Sequence, residues 1–110
     1  MEEAGEEEEG KREWRTAYQN VGGGIEATNI LLARGRQENW DFVFVAEAWE
    51  GKKGERTTQQ GYRAFSQRGS RLALYVREEV DLHRLGGIET SQDWIRVGNL
   101  ITGRCHLPEP

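Results

Sequence analysis

Between residues 13 and 47 the sequence passes through strand, glycine, helix and strand patterns, and this succession restricts the possible folds most. EWRTAYQNV (13–21) alternates like a partly polar strand, and three glycines (22–24) end it. Apolar residues at helical spacing then predict a helix from about Glu26 to Glu38, and DFVFVAE (41–47) predicts a buried strand. Together these segments predict a right-handed βαβ crossover between parallel strands.

Two residues bear on the start and the strength of the predicted helix. Thr28 is an alternative N-cap, which would begin the helix later than Glu26. Gly35 lies within the helical pattern and should weaken the helix by roughly 1 kcal/mol relative to Ala.

The second half of the chain has a different pattern of apolar residues. AWEGKKGERTTQQG (48–61) has no apolar pattern after Trp49 and predicts a long polar loop. The runs that follow are short and alternating, which predicts antiparallel strands in GYRAFSQ, SRLALYVRE, VDLHRL and DWIRVGNLITGRCHL. The predicted fold class is therefore mixed α/β, a βαβ unit followed by antiparallel strands.

Charge and cysteine content limit the class of protein. Six of the first nine residues are Glu, although the net charge is only -4, so the rest of the chain is mildly basic. We therefore predict an acidic disordered tail over residues 1–12 and one folded domain over residues 13–110. Cys105 is the only cysteine, which excludes an intrachain disulfide, and the chain contains neither a signal peptide nor an apolar run long enough to span a bilayer. An intracellular location, cytoplasmic or nuclear, is expected.

Asn20 and Glu47 follow the two strands of the predicted βαβ unit. The carboxyl ends of parallel strands meet at one edge of a sheet, where ligands bind. A carboxylate there suits Mg²⁺, and an amide beside it can orient a phosphate. The alternative is that Glu47 simply marks the point where the strand leaves the core.

A dinucleotide site competes with this interpretation. GGGIEA (22–27) satisfies a permissive G-x-G-x-x-A pattern, and Glu47 follows Ala27 by 20 residues, near the position of a ribose-binding acid. Against it, the first strand is too polar for the centre of a doubly wound sheet, and no second crossover helix follows.

Two histidines and one arginine-bearing segment are further candidates. His83 and His106 have no metal-ligand partner at a recognised spacing, and VDLHRL predicts His83 as a half-exposed strand residue. SQRGSRLALYVR could contact phosphates, although charges that guard a sheet edge are the commoner explanation.

The order of these motifs resembles the first part of the endonuclease/exonuclease/phosphatase family, the DNase I-like fold. The matching pieces are QNVGGG, ATNILL, DFVFVAEAW, GY and RLALYVR, over about residues 14–110. Within that family, these motifs most resemble the endonuclease domains of non-LTR retrotransposons. The resemblance implies that Glu47 is the Mg²⁺ ligand, with Mn²⁺ as a substitute, and that Asn20 positions the metal and the scissile phosphate of DNA. It also places His106 where the family has a phosphate-contacting Tyr, with Leu107 at the Arg position and Pro108 kept.

The resemblance also implies that part of the family's machinery lies beyond this sequence. The family's Asp-x-Asn motif and its late Asp-His pair cannot be located before Pro110. We therefore expect a truncated N-terminal half of a DNase I-like sandwich, a hydrolase fragment that is inactive alone. Such a half should expose an apolar sheet face and an unpaired strand edge, and should self-associate. The alternative is a non-catalytic remnant with a binding or assembly role.

Overall fold

The structure, a computed structural model, describes residues 14–57, 61–98 and 101–104. Its regular elements follow one another as β1 (Thr16–Asn20), α1 (Ile25–Glu38), β2 (Phe42–Ala46), β3 (Tyr62–Phe65), β4 (Leu72–Arg77), a 3₁₀-helix (Leu82–Leu85), β5 (Ile88–Thr90), β6 (Trp94–Val97) and β7 (Ile101–Arg104). The predicted tail over residues 1–12 lies outside the described residues.

The strands form two sheets. A four-stranded sheet has the order β1-β2-β4-β3, and a three-stranded sheet has the order β5-β6-β7. β1 and β2 are parallel, with Thr16 opposite Phe42 and Asn20 opposite Ala46, whereas every other neighbouring pair is antiparallel. The mixed α/β class and the parallel βαβ unit followed by antiparallel strands are therefore confirmed.

Side chains of β2 and β4 divide the core into two layers. Phe42, Phe44 and Leu74 belong to the layer shared with Ile95 and Val97 of β6. On the opposite face, a second layer contains Leu31 and Leu32 of α1 with Val43, Val45, Ala73 and Tyr75. A strand buried on both faces has no polar positions, which explains the continuous apolar run FVFVA.

This double coverage corrects one expectation from the sequence. All five residues of β2 are buried, as are the first five of β4. Within the described residues, α1 covers one face of the four-stranded sheet and the β6 sheet covers the other. The predicted exposed apolar sheet face is therefore wrong for this part of the chain, because its own second sheet covers that face.

α1 begins and ends through backbone rather than side-chain contacts. Its N-cap is Gly24, not Thr28, whose hydroxyl instead donates to the Gly24 carbonyl oxygen at 2.8 Å. The helix ends where Asn39 adopts a left-handed conformation (φ 61°) and the Trp40 N–H donates to the Gly35 carbonyl oxygen at 2.9 Å. An Asn in this conformation after the last turn is a common helix stop.

The segment VDLHRL was predicted as a strand, and this is wrong: Leu82–Leu85 form a 3₁₀-helix. Asp81 caps it by accepting a hydrogen bond from the His83 N–H at 3.1 Å, and Gly86 ends it in a left-handed conformation (φ 89°). An Asp before the turn and a Gly after it outweigh the strand pattern. His83 is exposed there.

β1 lies at an edge of the four-stranded sheet, where β2 is its one neighbour in the described part of the chain. Tyr18 stacks on Phe44 of β2 with ring centroids 6.4 Å apart, yet it remains 42% exposed. The predicted self-association through a sheet edge stays a prediction. No helix in the described ranges is both long and apolar enough to cross a bilayer.

Candidate metal site

The carboxyl ends of β1 and β2 bring Asn20 and Glu47 to the same edge of the sheet. Asn20 is the last residue of β1 and lies opposite Ala46, and Glu47 is the residue after Ala46. The turn between β1 and α1, residues 21–24, lies at this edge as well, because the Val21 N–H donates to the Ala46 carbonyl oxygen at 3.1 Å. We call Asn20, residues 22–24 and Glu47 the rim site.

Glu47 holds an unusual backbone conformation. Its φ of 53° is in the left-handed region, which costs a residue with a side chain roughly 1–2 kcal/mol. Hydrogen bonds hold this conformation on both sides: the Gly23 N–H donates to the Glu47 carbonyl oxygen at 2.7 Å, and the Ala48 N–H donates to the Arg71 carbonyl oxygen at 3.1 Å. Strain that the surroundings maintain in this way is typical of functional positions.

Glu47 is half-buried as a residue. Within residues 14–57, 61–98 and 101–104 its carboxylate has neither a hydrogen-bond partner nor an ion-pair partner. Its oxygens are the ligands that Mg²⁺ prefers, so the residue fits the predicted metal.

Asn20 is oriented by the turn that follows it. The Gly22 N–H donates to Asn20 Oδ1 at 2.8 Å. This contact identifies the acceptor end of the amide and leaves Nδ2 as a donor that no described residue accepts from. Gly22 and Gly23 have φ values of 62° and 82°, a conformation that glycine adopts without steric cost. The turn thus orients the exposed amide of Asn20 at the same sheet edge as Glu47.

The amino end of α1 adds a weak positive field to the rim site. The first N–H groups of a helix have no partner within it and carry a partial positive charge. Gly24 caps α1 without a side-chain hydrogen bond. Glu26 in the first turn offsets part of this field. The field therefore assists the binding of an anion but does not by itself define a site.

No sequence pattern indicated the contacts of Arg56 and Glu50, two charged residues that follow Glu47 in the chain. Residues 48–61 were predicted as a long polar loop, and within it the side chain of Arg56 is only 5% exposed. Glu50 accepts hydrogen bonds from the Gly69 N–H at 2.8 and 3.2 Å. A charged residue in a polar loop is normally solvent-exposed, so no sequence pattern could have identified either contact.

The remaining predicted site residues have different outcomes. His106, together with Leu107 and Pro108, lies outside the described residues, so its predicted phosphate contact stays a prediction. His, Cys, Asp and Glu side chains form no cluster of three or more in the described ranges. A Mg²⁺ ion held by Glu47 would therefore take most of its ligands from water and phosphate, as Mg²⁺ sites often do.

Comparison of the chain with protein-family models, with curated proteins and with solved structures gives no match. We therefore infer the chemistry of the rim site from its own residues. The dinucleotide alternative finds little support in them, because β2 has an antiparallel neighbour, β4, where a doubly wound fold has parallel strands.

Proposed function

We propose that this chain carries the metal-binding and phosphate-orienting part of a Mg²⁺-dependent phosphodiesterase site of the DNase I-like lineage, with nucleic acid as the substrate class. One observation carries the proposal. Glu47, whose carboxylate has no partner among the described residues, occupies a maintained left-handed position at the same sheet edge as the oriented amide of Asn20. The resemblance of the motifs to retroelement endonucleases supports the choice of DNA.

The two side chains would have separate roles. Glu47 would bind Mg²⁺ or Mn²⁺ through its carboxylate oxygens, and Asn20 Nδ2 would donate a hydrogen bond to a phosphate oxygen. When bound, the metal supplies Lewis-acid polarisation of the phosphate and neutralises its charge. The Asn20 amide restricts the orientation of the phosphate, because its own oxygen is already engaged by the Gly22 N–H.

A non-catalytic binding role is the second candidate. Hydrolysis also requires a group that activates water and one that stabilises the transition state. The described ranges contain no cluster of three or more His, Cys, Asp and Glu side chains that could supply both beside a metal. A chain that binds a metal and a phosphodiester without cleaving it is consistent with that observation.

Metal binding can be tested with Mn²⁺ as a paramagnetic probe in solution NMR. We expect Mn²⁺ to broaden the amide signals of Gly22, Gly23 and Glu47 first, and Glu47→Gln to remove the effect. Glu78→Gln is the matched control, because Glu78 is an exposed carboxylate directly after β4, at the opposite end of the sheet. Equal broadening in all three proteins would refute a metal site at the rim.

Cleavage separates the two candidate functions. If the chain is an endonuclease, it should nick supercoiled plasmid in Mg²⁺ or Mn²⁺, and Glu47→Gln but not Glu78→Gln should abolish nicking. Mn²⁺ binding that depends on Glu47, without nicking, would select the binding role. Nicking that persists in Glu47→Gln would contradict the assignment of this carboxylate.

A further inference from the structure

Arg56 holds together three separate segments, one of which directly follows Glu47 of the rim site. Its Nη1 donates to the carbonyl oxygens of Ala48 and Trp49, both at 3.1 Å. Its Nε donates to the Ser66 hydroxyl at 3.0 Å, and its Nη2 donates to the Ser70 carbonyl oxygen at 2.8 Å. The segment after β2, the end of β3 and the turn before β4 therefore share one guanidinium.

The charge of Arg56 is compensated within the same cluster. Its side chain is 5% exposed, and Nη2 lies 3.9 Å from Glu50 Oε2. Glu50 in turn accepts from the Gly69 N–H, which belongs to the β3–β4 turn. A buried guanidinium that is both hydrogen-bonded and paired restricts the geometry of everything it contacts.

The contacts require the shape of an arginine side chain. A guanidinium presents five N–H donors in a rigid plane, whereas the lysine ammonium has three donors at one point. The acceptors of Arg56 lie on three chain segments and are reached from three different nitrogen atoms. A lysine would keep the charge but could not reach all of these acceptors together.

We propose that Arg56 is the positioning residue of the rim site, and that it acts by maintaining the left-handed conformation of Glu47. The Glu47 carbonyl oxygen is held by Gly23, and the next N–H is held by Arg71. Arg56 holds the carbonyl oxygen of the following peptide, that of Ala48, and so anchors the residue directly after Glu47. The inference that this serves metal binding rests on the proposed function; the backbone effect does not.

The backbone effect can be measured without metal. A residue with positive φ gives a strong intraresidue NOE between its amide and α protons, and the Glu47 cross-peak should be strong in the wild type. We expect it to weaken in Arg56→Lys, which keeps charge and approximate volume, and further in Arg56→Ala. Arg63→Lys is the control, because Arg63 also donates to a carbonyl oxygen, that of Val80, at 2.9 Å. An unchanged Glu47 cross-peak in Arg56→Lys would overturn the inference.

A double-mutant cycle connects Arg56 to the metal. We expect Arg56→Lys to weaken Mn²⁺ binding roughly tenfold, in the range usual for residues that orient a metal ligand. The same substitution in a Glu47→Gln background should have no further effect, whereas general loosening of the fold would weaken residual binding in both backgrounds. Equal Mn²⁺ affinity in wild type and Arg56→Lys would overturn the role in metal binding. If Glu47→Gln itself leaves Mn²⁺ affinity unchanged, the proposed function fails, while the NOE result still decides whether Arg56 holds the backbone.

Discussion

Gly35→Ala should destabilise the protein, although it replaces a poor helix former with the best one. In an isolated helix the substitution would stabilise by roughly 1 kcal/mol. In the structure a Cβ atom on Gly35 would lie 2.6 Å from Tyr62 Oη, 3.1 Å from Trp40 Cε3 and 3.3 Å from Tyr62 Cζ. A contact of 2.6 Å cannot persist, so either Tyr62 or α1 must move.

The size of the effect follows from how tightly Tyr62 is held. Its side chain is fully buried in the layer beneath α1, and its hydroxyl donates to the Trp40 carbonyl oxygen at 2.8 Å. Overpacking a dense core costs about 1–3 kcal/mol, and leaving the Trp40 carbonyl oxygen unpaired adds about 1–3 kcal/mol. After the gain in helix propensity, Gly35→Ala should lower the free energy of unfolding by about 3 kcal/mol.

Urea denaturation monitored by tryptophan fluorescence can test this prediction, with Tyr62→Phe as the second arm of a double-mutant cycle. Tyr62→Phe removes the oxygen atom that the new methyl group would strike, so Gly35→Ala should cost at least about 1 kcal/mol less in that background. A Gly35→Ala protein as stable as the wild type, or an equal cost in both backgrounds, would refute the reasoning.

Three further substitutions test other parts of the structure. The Tyr75 hydroxyl is buried without a hydrogen-bond partner among the described residues, so Tyr75→Phe should be neutral or stabilising by up to about 2 kcal/mol at pH 7 in the same denaturation assay. Burial also raises the pKa of Tyr75 from 10.0 to about 12, so the folded state keeps the phenol proton to a higher pH than the unfolded chain does. The free energy of unfolding of the wild type should therefore fall by about 2–3 kcal/mol between pH 10 and 12. The fall should be smaller in Tyr75→Phe. Asp41 is 1% exposed and pairs with Arg77 at 2.6 Å, so Asp41→Ala should cost about 3 kcal/mol, and a cost below about 1 kcal/mol would contradict a structural role for the pair. Glu47→Gly should relieve the left-handed strain, so the free energy of unfolding should stay equal or rise by up to about 1 kcal/mol, while Mn²⁺ binding at the rim site is lost. A clear loss of stability would show that the Glu47 side chain contributes to the fold.

The sequence by itself determined the arrangement that places the rim site. The apolar run of β2, the glycines at residues 22–24 and the helical spacing of α1 depend on local backbone preferences and on the period of burial. These are properties of short segments, so they can be read without a structure. The positions of Asn20 and Glu47 at one edge follow from the same pattern, because parallel strands joined by a crossover end on the same side.

The tertiary structure decided what those segments contact. By its local pattern Gly35 is a weak point of α1, yet its lack of a Cβ atom leaves room for the Tyr62 hydroxyl. Tyr62 belongs to β3, which lies far along the chain from α1. A polar loop predicts that Arg56 is solvent-exposed, yet hydrogen-bond acceptors from three chain segments surround its guanidinium. The left-handed conformation of Glu47 is maintained by bonds to Gly23 and to the residue before β4. Each of these depends on residues distant in sequence that meet only in the folded chain, and no local preference carries that information.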